Sequence, residues 1–597
     1  MGRPTGRAPF PPVPHIHIPC PREMAPMNPL PTDFTVSDYL IQRLHEAGLR
    51  DVFTVPGDYV ARWFDYIDDK ARNVGSQLNR LGCRSELEAG YAADAYGRIN
   101  GISCAAVTYG VGAFSLINPV AGSYVERVPT VAISGSPGTG PADRPFARTY
   151  KILLHHATGN YGADRDAYED ITAEAIIISD AAEAPAMIDG ALGAALSEKR
   201  PVYIEIWRQL WDTPCAKPEK ALVIPPLPID QDAVDAAAAH VASLIKAAAK
   251  PLFWGGIEVQ RYGLQDGFAG LVDQTGIPYV TSLLAKSVLA ETHPGFIGTY
   301  TGPSSDYSTY NTVDLSDLVV VTGDLLTDDY EGFVGKDFRQ MVVAYDSTVR
   351  VGEAYYFQVP LAAFIEALSI ALKDAGKRDP WAVKGPAVID PDFKPFPPDV
   401  ITYARFFQRM LTWVDADMTL VPDESSSMYV SCNIPVNRAN AFVSEAAWGS
   451  IGYASAAALG LSVAAPDARP VVFAGDGGFQ MVAQTVSTMA VYKRNPIIFV
   501  MANTIYGIEQ ALTNDKAYTE GQPFNPFNVI PSWDYAGLAV ALGAKGVAVT
   551  TLTELESALS TVKADLDSVW LVQVNLPADD IPQEILRLAS NTGPTPP

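Results

Sequence analysis

The chain contains few cysteines and no long apolar run. Its five cysteines are odd in number, widely scattered and without CxxC spacing, which argues against both a disulfide framework and a zinc site. No apolar run approaches the roughly 18 residues of a membrane span. These absences favour a reducing, cytoplasmic setting without a membrane partner.

Basic residues are also scarce relative to acidic ones. The sequence has 43 Lys and Arg against 67 Asp and Glu, a formal net charge of −24. Nucleic acid and anionic membrane surfaces both repel an acidic protein, so neither is expected as the main partner. The 597 residues are too many for one core and indicate three or four domains.

Short apolar strands alternate with helical segments along most of the chain, a pattern typical of parallel sheets covered by helices. The start is rich in proline and lacks the apolar core of a secretory signal, so we expect it to be disordered. The predicted class is α/β with three doubly wound parallel-sheet domains. The predicted segments are a disordered leader (1–33), a first domain (34–215), a middle domain (230–372), a linker (373–400), a third domain (401–589) and a tail (590–597).

A polar residue follows each of two buried-type strands between residues 471 and 510. Asp476 comes after the first strand and Asn503 after the second. Because ligands of open α/β sheets bind at the carboxyl ends of strands, the two side chains could meet there. Their oxygens suit Mg²⁺ with phosphate as a further ligand, and Gly477 and Gly478 let the backbone approach a phosphate group.

Two adjacent histidines, His155 and His156, lie in "LLHHATGN", residues 153–160. Adjacent side chains on a strand or a helix point in different directions, so both rings can reach one pocket only from an irregular segment. The alternative interpretation is an ordinary surface turn.

From residue 35 to about residue 589 the chain resembles the thiamine diphosphate enzymes, and it is most similar to the pyruvate and indolepyruvate decarboxylases. The resemblance rests on the Gly-Asp-Gly motif followed by an apolar helix, a strand and Asn503. It also rests on seven other segments, which are "VPGDY" (55–59), "SELEAGYAADAYGRINGISC" (85–104), "TYGVGAFSLIN" (108–118), "GSYVERVP" (122–129), "LLHHATGN", "HPGFIGTY" (293–300) and "WGSIGY" (448–453).

This resemblance implies the cofactors and the site residues. Thiamine diphosphate and Mg²⁺ are the implied cofactors, and the first and third domains are implied to bind the pyrimidine and the diphosphate. Glu86 matches the carboxylate that bonds the pyrimidine ring, and we expect Glu88 to face solvent instead. The implied catalytic residues are Asp58, Glu86, His155, His156 and Glu509. The implied cofactor-binding residues are Glu86, Ser426, Gly449, Ile451, Asp476, Gly477, Gly478, Asn503 and Ile505. Of these, the resemblance implies that Asp476, Asn503 and Ile505 hold the metal.

The sequence departs from the family pattern near the implied substrate pocket. Where the decarboxylases carry Gly-Thr or Gly-Asp before a small residue and an aromatic, this chain has "DESSSMYV", residues 423–430. The usual Asn-Asn is Ala502-Asn503, and Ile505 replaces a glycine whose carbonyl binds the metal. The expected pocket residues are Met428, Tyr429, Ile508 and Leu512.

The resemblance implies non-oxidative decarboxylation of a pyruvate-like 2-oxo acid to an aldehyde and CO₂ through the ylide of thiamine diphosphate. Three alternatives stay open, namely a decarboxylase of phenylpyruvate or indolepyruvate, a carboligase of the acetohydroxyacid synthase kind, and a catalytically silent regulatory protein. It also implies a homodimer or homotetramer whose active sites are shared between chains.

Overall fold

Three separate β-sheets, one in each predicted domain, form the framework of the protein. The computed structural model describes residues 29–73, 78–138, 153–334, 341–382, 384 and 399–595. Strands in each sheet are mostly parallel, with helices between them. The predicted α/β class is therefore confirmed.

The first sheet is parallel and has the strand order β2-β1-β3-β4-β6-β5. Every residue of β3 and β4 is buried, as expected for a parallel sheet covered on both faces. The strands are β1 (Asp51–Thr54), β2 (Asn79–Gly82), β3 (Ser103–Thr108), β4 (Thr130–Ser136), β5 (Glu174–Ile178) and β6 (Val202–Trp207), and the helices are Val36–Glu46, Ala61–Asp68, Glu86–Asn100, Val111–Val125, Ala163–Tyr168 and Ala184–Glu198.

The middle sheet has the order β13-β12-β11-β10-β7-β8-β9 and ends in an antiparallel hairpin that the sequence analysis did not foresee. Asp346 and Ser347 join β11 to β12 with φ angles of 52° and 53°, and a connection of only two residues can join antiparallel strands but not parallel ones. The strands are β7 (Pro251–Gly255), β8 (Tyr279–Thr281), β9 (Phe296–Thr299), β10 (Leu318–Thr322), β11 (Met341–Tyr345), β12 (Thr348–Val351) and β13 (Ala354–Phe357), with helices Gln231–Ala247, Ile257–Arg261, Gln265–Thr275, Tyr307–Leu315, Glu331–Val334 and Leu361–Leu372.

The third sheet is parallel in the order β14-β15-β16-β18-β17. Its strands are β14 (Met418–Pro422), β15 (Arg469–Gly475), β16 (Ile497–Ala502), β17 (Lys545–Val549) and β18 (Trp570–Asn575). Its helices are Tyr403–Trp413, Ser426–Ser431, Tyr453–Ala464, Asp476–Val482, Thr485–Val491, Gly507–Asn514, Lys516–Thr519, Tyr535–Ala541, Leu552–Ala564 and Gln583–Ser590. In the part of the chain that the structure describes, no helix is long and apolar enough to cross a membrane.

The end of the predicted leader and part of the predicted linker contact neighbouring domains. Residues 1–28 lie outside the described residues, but the carbonyls of Pro31 and Asp33 accept hydrogen bonds from the guanidinium of Arg72. In the predicted linker, Trp381 donates to the Pro251 carbonyl at 2.7 Å, so the start of the linker packs on the middle domain. Residues 383 and 385–398 of the linker, and 596–597 of the tail, lie outside the described residues.

The helices Glu86–Asn100 and Tyr453–Ala464 pack closely and join the first domain to the third. A Cβ added to Gly460 would lie 1.9 Å from the carbonyl oxygen of Ala92, so the two backbones approach as only glycine permits. The Tyr453 hydroxyl also donates to Asp94 at 2.8 Å. The third-domain helix is therefore fixed against the helix that begins at Glu86.

We predict that Gly460→Ala lowers stability by about 1–3 kcal/mol, because the added methyl forces two packed backbones apart. Gly270→Ala is the matched control. Gly270 lies in the helix Gln265–Thr275 with nothing within 4 Å of an added Cβ, so alanine there should stabilise by up to ~1 kcal/mol. Thermal unfolding of both variants followed by circular dichroism is the measurement, and equal melting temperatures would contradict the close packing.

Candidate active site

Four of the predicted catalytic residues lie on loops and helix starts that follow strands of the first sheet. Asp58 follows β1, Glu86 follows β2, and His155 and His156 follow β4 in the chain. Asp58 and both histidines are exposed, whereas Glu86 is half-buried. This is the carboxyl edge, where ligands of open α/β sheets bind.

The loop that carries the paired histidines is held by groups at the end of β3. The Tyr109 hydroxyl donates to the carbonyl of His155, and a Cβ on Gly110 would lie 2.1 Å from the carbonyl oxygen of His156. Asp164 accepts from the amide of Gly110 at 2.6 Å. His156 has a φ of 69°, which breaks the alternation of an extended chain, so both rings are exposed with their centroids 6.3 Å apart.

Glu88 is buried, contrary to the prediction, and is less exposed than Glu86. Glu86 is the first residue of its helix and is half-buried, while Glu88 is 0 % exposed. The Glu88 carboxylate accepts from the amide of Arg84 at 3.0 Å, and its own amide donates to Ser85 Oγ at 3.2 Å. Burial raises the pKa of the Glu88 carboxyl. The prediction that Glu88 faces solvent is wrong. Its buried carboxylate instead accepts a hydrogen bond from the backbone at the start of the helix.

Asp476 and Asn503 lie at the ends of the paired strands β15 and β16, and both are buried. The Asp476 carboxylate accepts from the amides of Gly477 at 3.0 Å and Thr504 at 2.7 Å, and Asn503 Oδ1 accepts from the amide of Ile505 at 3.3 Å. Burial raises the pKa of Asp476 to about 6. These bonds hold a carboxylate and an amide oxygen at one edge of the sheet, as the sequence predicts.

The glycines beside Asp476 leave no room for a side chain. An added Cβ would lie 2.0 Å from Asp423 Oδ2 at Gly478 and 2.2 Å from the Tyr506 ring at Gly477. The helix that follows β15 begins at Asp476 itself. Within the described ranges no group of three or more His, Cys, Asp or Glu could hold a metal. One carboxylate and one amide oxygen fit a cation such as Mg²⁺ that takes other ligands from a phosphate.

Asp423 fixes the loop that contains Gly449 and Ile451. Its carboxylate accepts from the amides of Gly452, at 2.9 and 3.1 Å, and of Ala454, at 3.0 Å. Gly449 and Gly452 have φ angles of 70° and 94°, which glycine adopts without strain. Gly449 is exposed and Ile451 half-buried. The loop therefore holds its shape and leaves the Gly449 backbone accessible.

The predicted pocket residues divide into an exposed and a buried pair. On the helix Gly507–Asn514, Leu512 and Glu509 are exposed and Ile508 is half-buried. Met428 is 1 % exposed and Tyr429 6 % exposed, and both pack in the core of the third domain. The structure thus brings Ile508, Glu509 and Leu512 together on one helix, whereas Met428 and Tyr429 lie beneath the surface. Ser426 is also buried, at the start of its helix.

Asp423 and Glu424 were not predicted as site residues. Both directly follow β14, the strand that pairs with β15, and so lie at the same edge as Asp476. The position directly after a strand, which identified Asp476 and Asn503, would also have identified these two. Burial raises the pKa of Asp423 to about 6 and that of Glu424 well above its usual value.

Family comparisons agree with this arrangement. Residues 34–159 match the N-terminal TPP binding domain of the thiamine pyrophosphate enzymes, residues 238–372 their central domain, and residues 425–574 their C-terminal TPP binding domain. A probable pyruvate decarboxylase of Schizosaccharomyces pombe is 30% identical over 565 residues, which cover 92% of this chain and 95% of the relative. The chain belongs to the thiamine pyrophosphate enzyme family. The predicted resemblance is confirmed.

Other thiamine pyrophosphate enzymes of similar length match nearly the whole chain. An alpha-keto-acid decarboxylase of Mycolicibacterium paratuberculosis is 31% identical over 576 residues, 94% of this chain and 97% of the relative. Pyruvate decarboxylase 3 of Arabidopsis thaliana is 29% identical over 579 residues, 93% of each. Within this family's domains, Asp58, Glu86, His155 and His156 fall in the N-terminal TPP binding domain, and Asp476, Asn503 and Glu509 in the C-terminal one.

We predict that Asp476→Ala and Asp476→Asn both abolish retention of thiamine diphosphate, because each removes the carboxylate that we assign to the diphosphate-bound cation. Calorimetry with thiamine diphosphate and Mg²⁺ measures the affinity. Asp467→Ala, at an exposed position, is the control and should bind normally. Unchanged affinity of the Asp476 variants would show that Asp476 does not bind the cofactor. The Asn variant controls for misfolding, because its amide oxygen can still accept one of the two backbone hydrogen bonds that Asp476 accepts.

Proposed function

We propose that this chain catalyses the non-oxidative decarboxylation of 2-oxo acids and releases an aldehyde and carbon dioxide, with thiamine diphosphate and Mg²⁺ as cofactors. Its relatives are named pyruvate decarboxylase and alpha-keto-acid decarboxylase over nearly their full length. The observation that carries the proposal is a buried Asp476–Asn503 pair in one TPP binding domain and a solvent-accessible set of carboxylates and imidazoles in the other.

The third domain holds the cofactor in this proposal. Asp476, Asn503 and the carbonyl of Ile505 bind Mg²⁺, while the backbone of Gly477 and Gly478 faces the diphosphate. The Gly449 carbonyl would accept from the amino group of the pyrimidine, while Ile451 and Ser426 would contact the cofactor rings. Asp476 and Asn503 are buried and bonded to neighbouring amides, so their oxygens are already oriented before the cofactor arrives.

The first domain handles protons. When bound, thiamine diphosphate supplies a nucleophilic carbon and an electron sink for the bond that breaks as carbon dioxide leaves. Glu86 would hold the pyrimidine through a hydrogen bond to its ring nitrogen and so favour proton loss from the reacting carbon. Asp58, His155, His156 and Glu509 deliver and remove protons at the substrate, and each such group typically contributes ~10²–10⁴-fold to the rate.

A complete site requires two chains. No hydrogen bond, ion pair or ring contact among the described residues connects Asp58, Glu86 or the histidines to Asp476, Asn503 or Glu509. Large apolar side chains beside both sets are exposed, and exposed apolar surface next to functional groups marks an association surface. They are Val111, Phe114 and Leu153 in the first domain and Trp448, Met481 and Leu512 in the third. We infer a homodimer, or a homotetramer built from dimers, in which each domain meets its counterpart on the other chain.

A cytoplasmic location suits the same function. The cysteines among the described residues, Cys83, Cys104, Cys215 and Cys432, are all free, as expected in a reducing compartment.

We expect the purified protein to convert pyruvate to acetaldehyde and carbon dioxide in equal amounts. A carboligase would instead release one carbon dioxide for every two pyruvates and form acetolactate, and a silent protein would release none. Product analysis with pyruvate, phenylpyruvate and indolepyruvate, with kcat/KM for each, tests the function and ranks the substrates. Glu86→Gln is the control for background decarboxylation, and carbon dioxide without aldehyde would contradict the proposal.

We predict that Glu86→Gln and Asp476→Ala, each inactive alone, regain activity when co-expressed. If sites are shared between chains, a mixed dimer has one doubly damaged site and one site built from two intact domains, so about half of the wild-type activity per mixed dimer should return. Affinity tags of two kinds isolate the mixed dimer for assay. An inactive, verified mixed dimer would show that each site is built within one chain.

A further inference from the structure

Glu424 lies at the carboxyl edge of the third sheet, beside the loop that we assign to the cofactor. Its Oε2 is 3.9 Å from the position that a Cβ on Gly449 would occupy, and of the described residues only Glu424 has atoms within 4 Å of that position. Glu424 is also close enough to Glu509, the proton-handling residue of the third domain, for their charges to interact. It therefore borders the space between the cofactor loop and the catalytic carboxylate.

Among the described residues, the side chains of Glu424 and Asp423 differ in their hydrogen bonding. Three hydrogen bonds from the amides of Gly452 and Ala454 occupy the Asp423 carboxylate. For Glu424, in contrast, the described residues provide neither a hydrogen bond nor an ion pair. Asp423 thus stabilises the backbone at Gly452 and Ala454, whereas the Glu424 carboxyl can hydrogen-bond a ligand.

The charged groups with the largest effect on Glu424 come from several elements and are acidic. Asp329 approaches from the segment before the helix Glu331–Val334, Glu126 from the end of the helix Val111–Val125, Glu509 from the helix Gly507–Asn514, and Asp423 from the preceding position. Burial and these four carboxyls raise the pKa of Glu424 well above its usual value. The buried phenol of Tyr429, which donates to Asp329 at 3.3 Å, also faces it and adds no positive charge.

We propose that Glu424 is a further substrate-contacting residue, which acts as a neutral carboxylic acid and donates a hydrogen bond to the 2-oxo acid group. This inference rests on the proposed decarboxylase function. A 2-oxo acid is an anion, so an ionised carboxylate in this place would repel it, whereas a protonated carboxyl offers an O–H donor to its oxygens. The proton that the acidic surroundings keep on Glu424 is the feature that makes the pocket compatible with an anionic substrate.

The ionisation of Glu424 should determine how kcat/KM changes with pH. Below the raised pKa, Glu424 is neutral and binds substrate, and as pH rises through that pKa it ionises and the contact turns repulsive. On the alkaline side, kcat/KM of the wild type for pyruvate should fall by about tenfold per pH unit from this group alone. Because a glutamine is neutral at every pH and still donates from its amide, Glu424→Gln should keep the plateau value and lose this alkaline fall.

The test is the pH profile of kcat/KM for pyruvate in the wild type, Glu424→Gln and Glu424→Leu, with calorimetry of thiamine diphosphate binding for each. Leucine removes the donor, so kcat/KM should drop by about 10- to 100-fold while cofactor affinity stays unchanged. Asp328→Asn is the matched control, since it removes one exposed acidic charge next to Asp329 and should retain the alkaline fall.

Each outcome decides the proposal. A glutamine variant with the wild-type alkaline fall, or a leucine variant with wild-type kcat/KM, would overturn it. Loss of cofactor binding in both Glu424 variants would also overturn it, because Glu424 would then hold the cofactor or the fold rather than the substrate. If the wild type binds the cofactor but produces no aldehyde from any 2-oxo acid, the proposed function itself fails, and the two failures are thereby distinguished.

Discussion

The buried guanidinium of Arg98 is the interaction on which the rest of the site depends. It pairs with Asp94 at 2.5 Å and Glu126 at 2.7 Å and donates to the carbonyl of Ser444 at 2.9 Å. Taking these charges out of water costs several kcal/mol per ion, and only close pairing with further hydrogen bonds offsets that cost. Separating these groups would leave a buried charge uncompensated. The cluster therefore favours one arrangement of the first domain against the third.

The same cluster positions the cofactor loop from outside the third domain. Glu126, at the end of a first-domain helix, accepts from the amides of Ala447 and Trp448, directly before Gly449. The middle domain also contacts this cluster, because the Gln260 side chain donates to the Arg98 carbonyl at 2.7 Å. The middle domain, which carries none of the proposed catalytic residues, thus helps to hold the residues that flank the proposed cofactor. This contact gives it a structural role beyond separating two catalytic domains.

Carboxyl groups with raised pKa values gather around the edge of the third sheet. Burial raises the pKa of Asp423, Glu424, Glu445 and Asp476, and Glu445 is 3 % exposed with neither carboxylate oxygen hydrogen-bonded among the described residues. Carboxyls with pKa values perturbed in this way cluster at functional sites more often than elsewhere. The acidic composition of the chain therefore places several perturbed carboxyls beside the proposed reaction centre.

The sequence alone determined the α/β class, the three sheets and the family, because strand and helix periodicity and the Gly-Asp-Gly motif are local features. It also placed Asp476 and Asn503, since both directly follow strands that pair in order. The tertiary structure decided which side chains are buried. The expectation that Glu88 faces solvent failed because residues distant in sequence bury its side chain. The raised pKa of Glu424 could not be foreseen, because its acidic neighbours Asp329, Glu126 and Glu509 come from three separate parts of the chain. Burial and charge environment depend on contacts between residues far apart in sequence, which no local pattern contains.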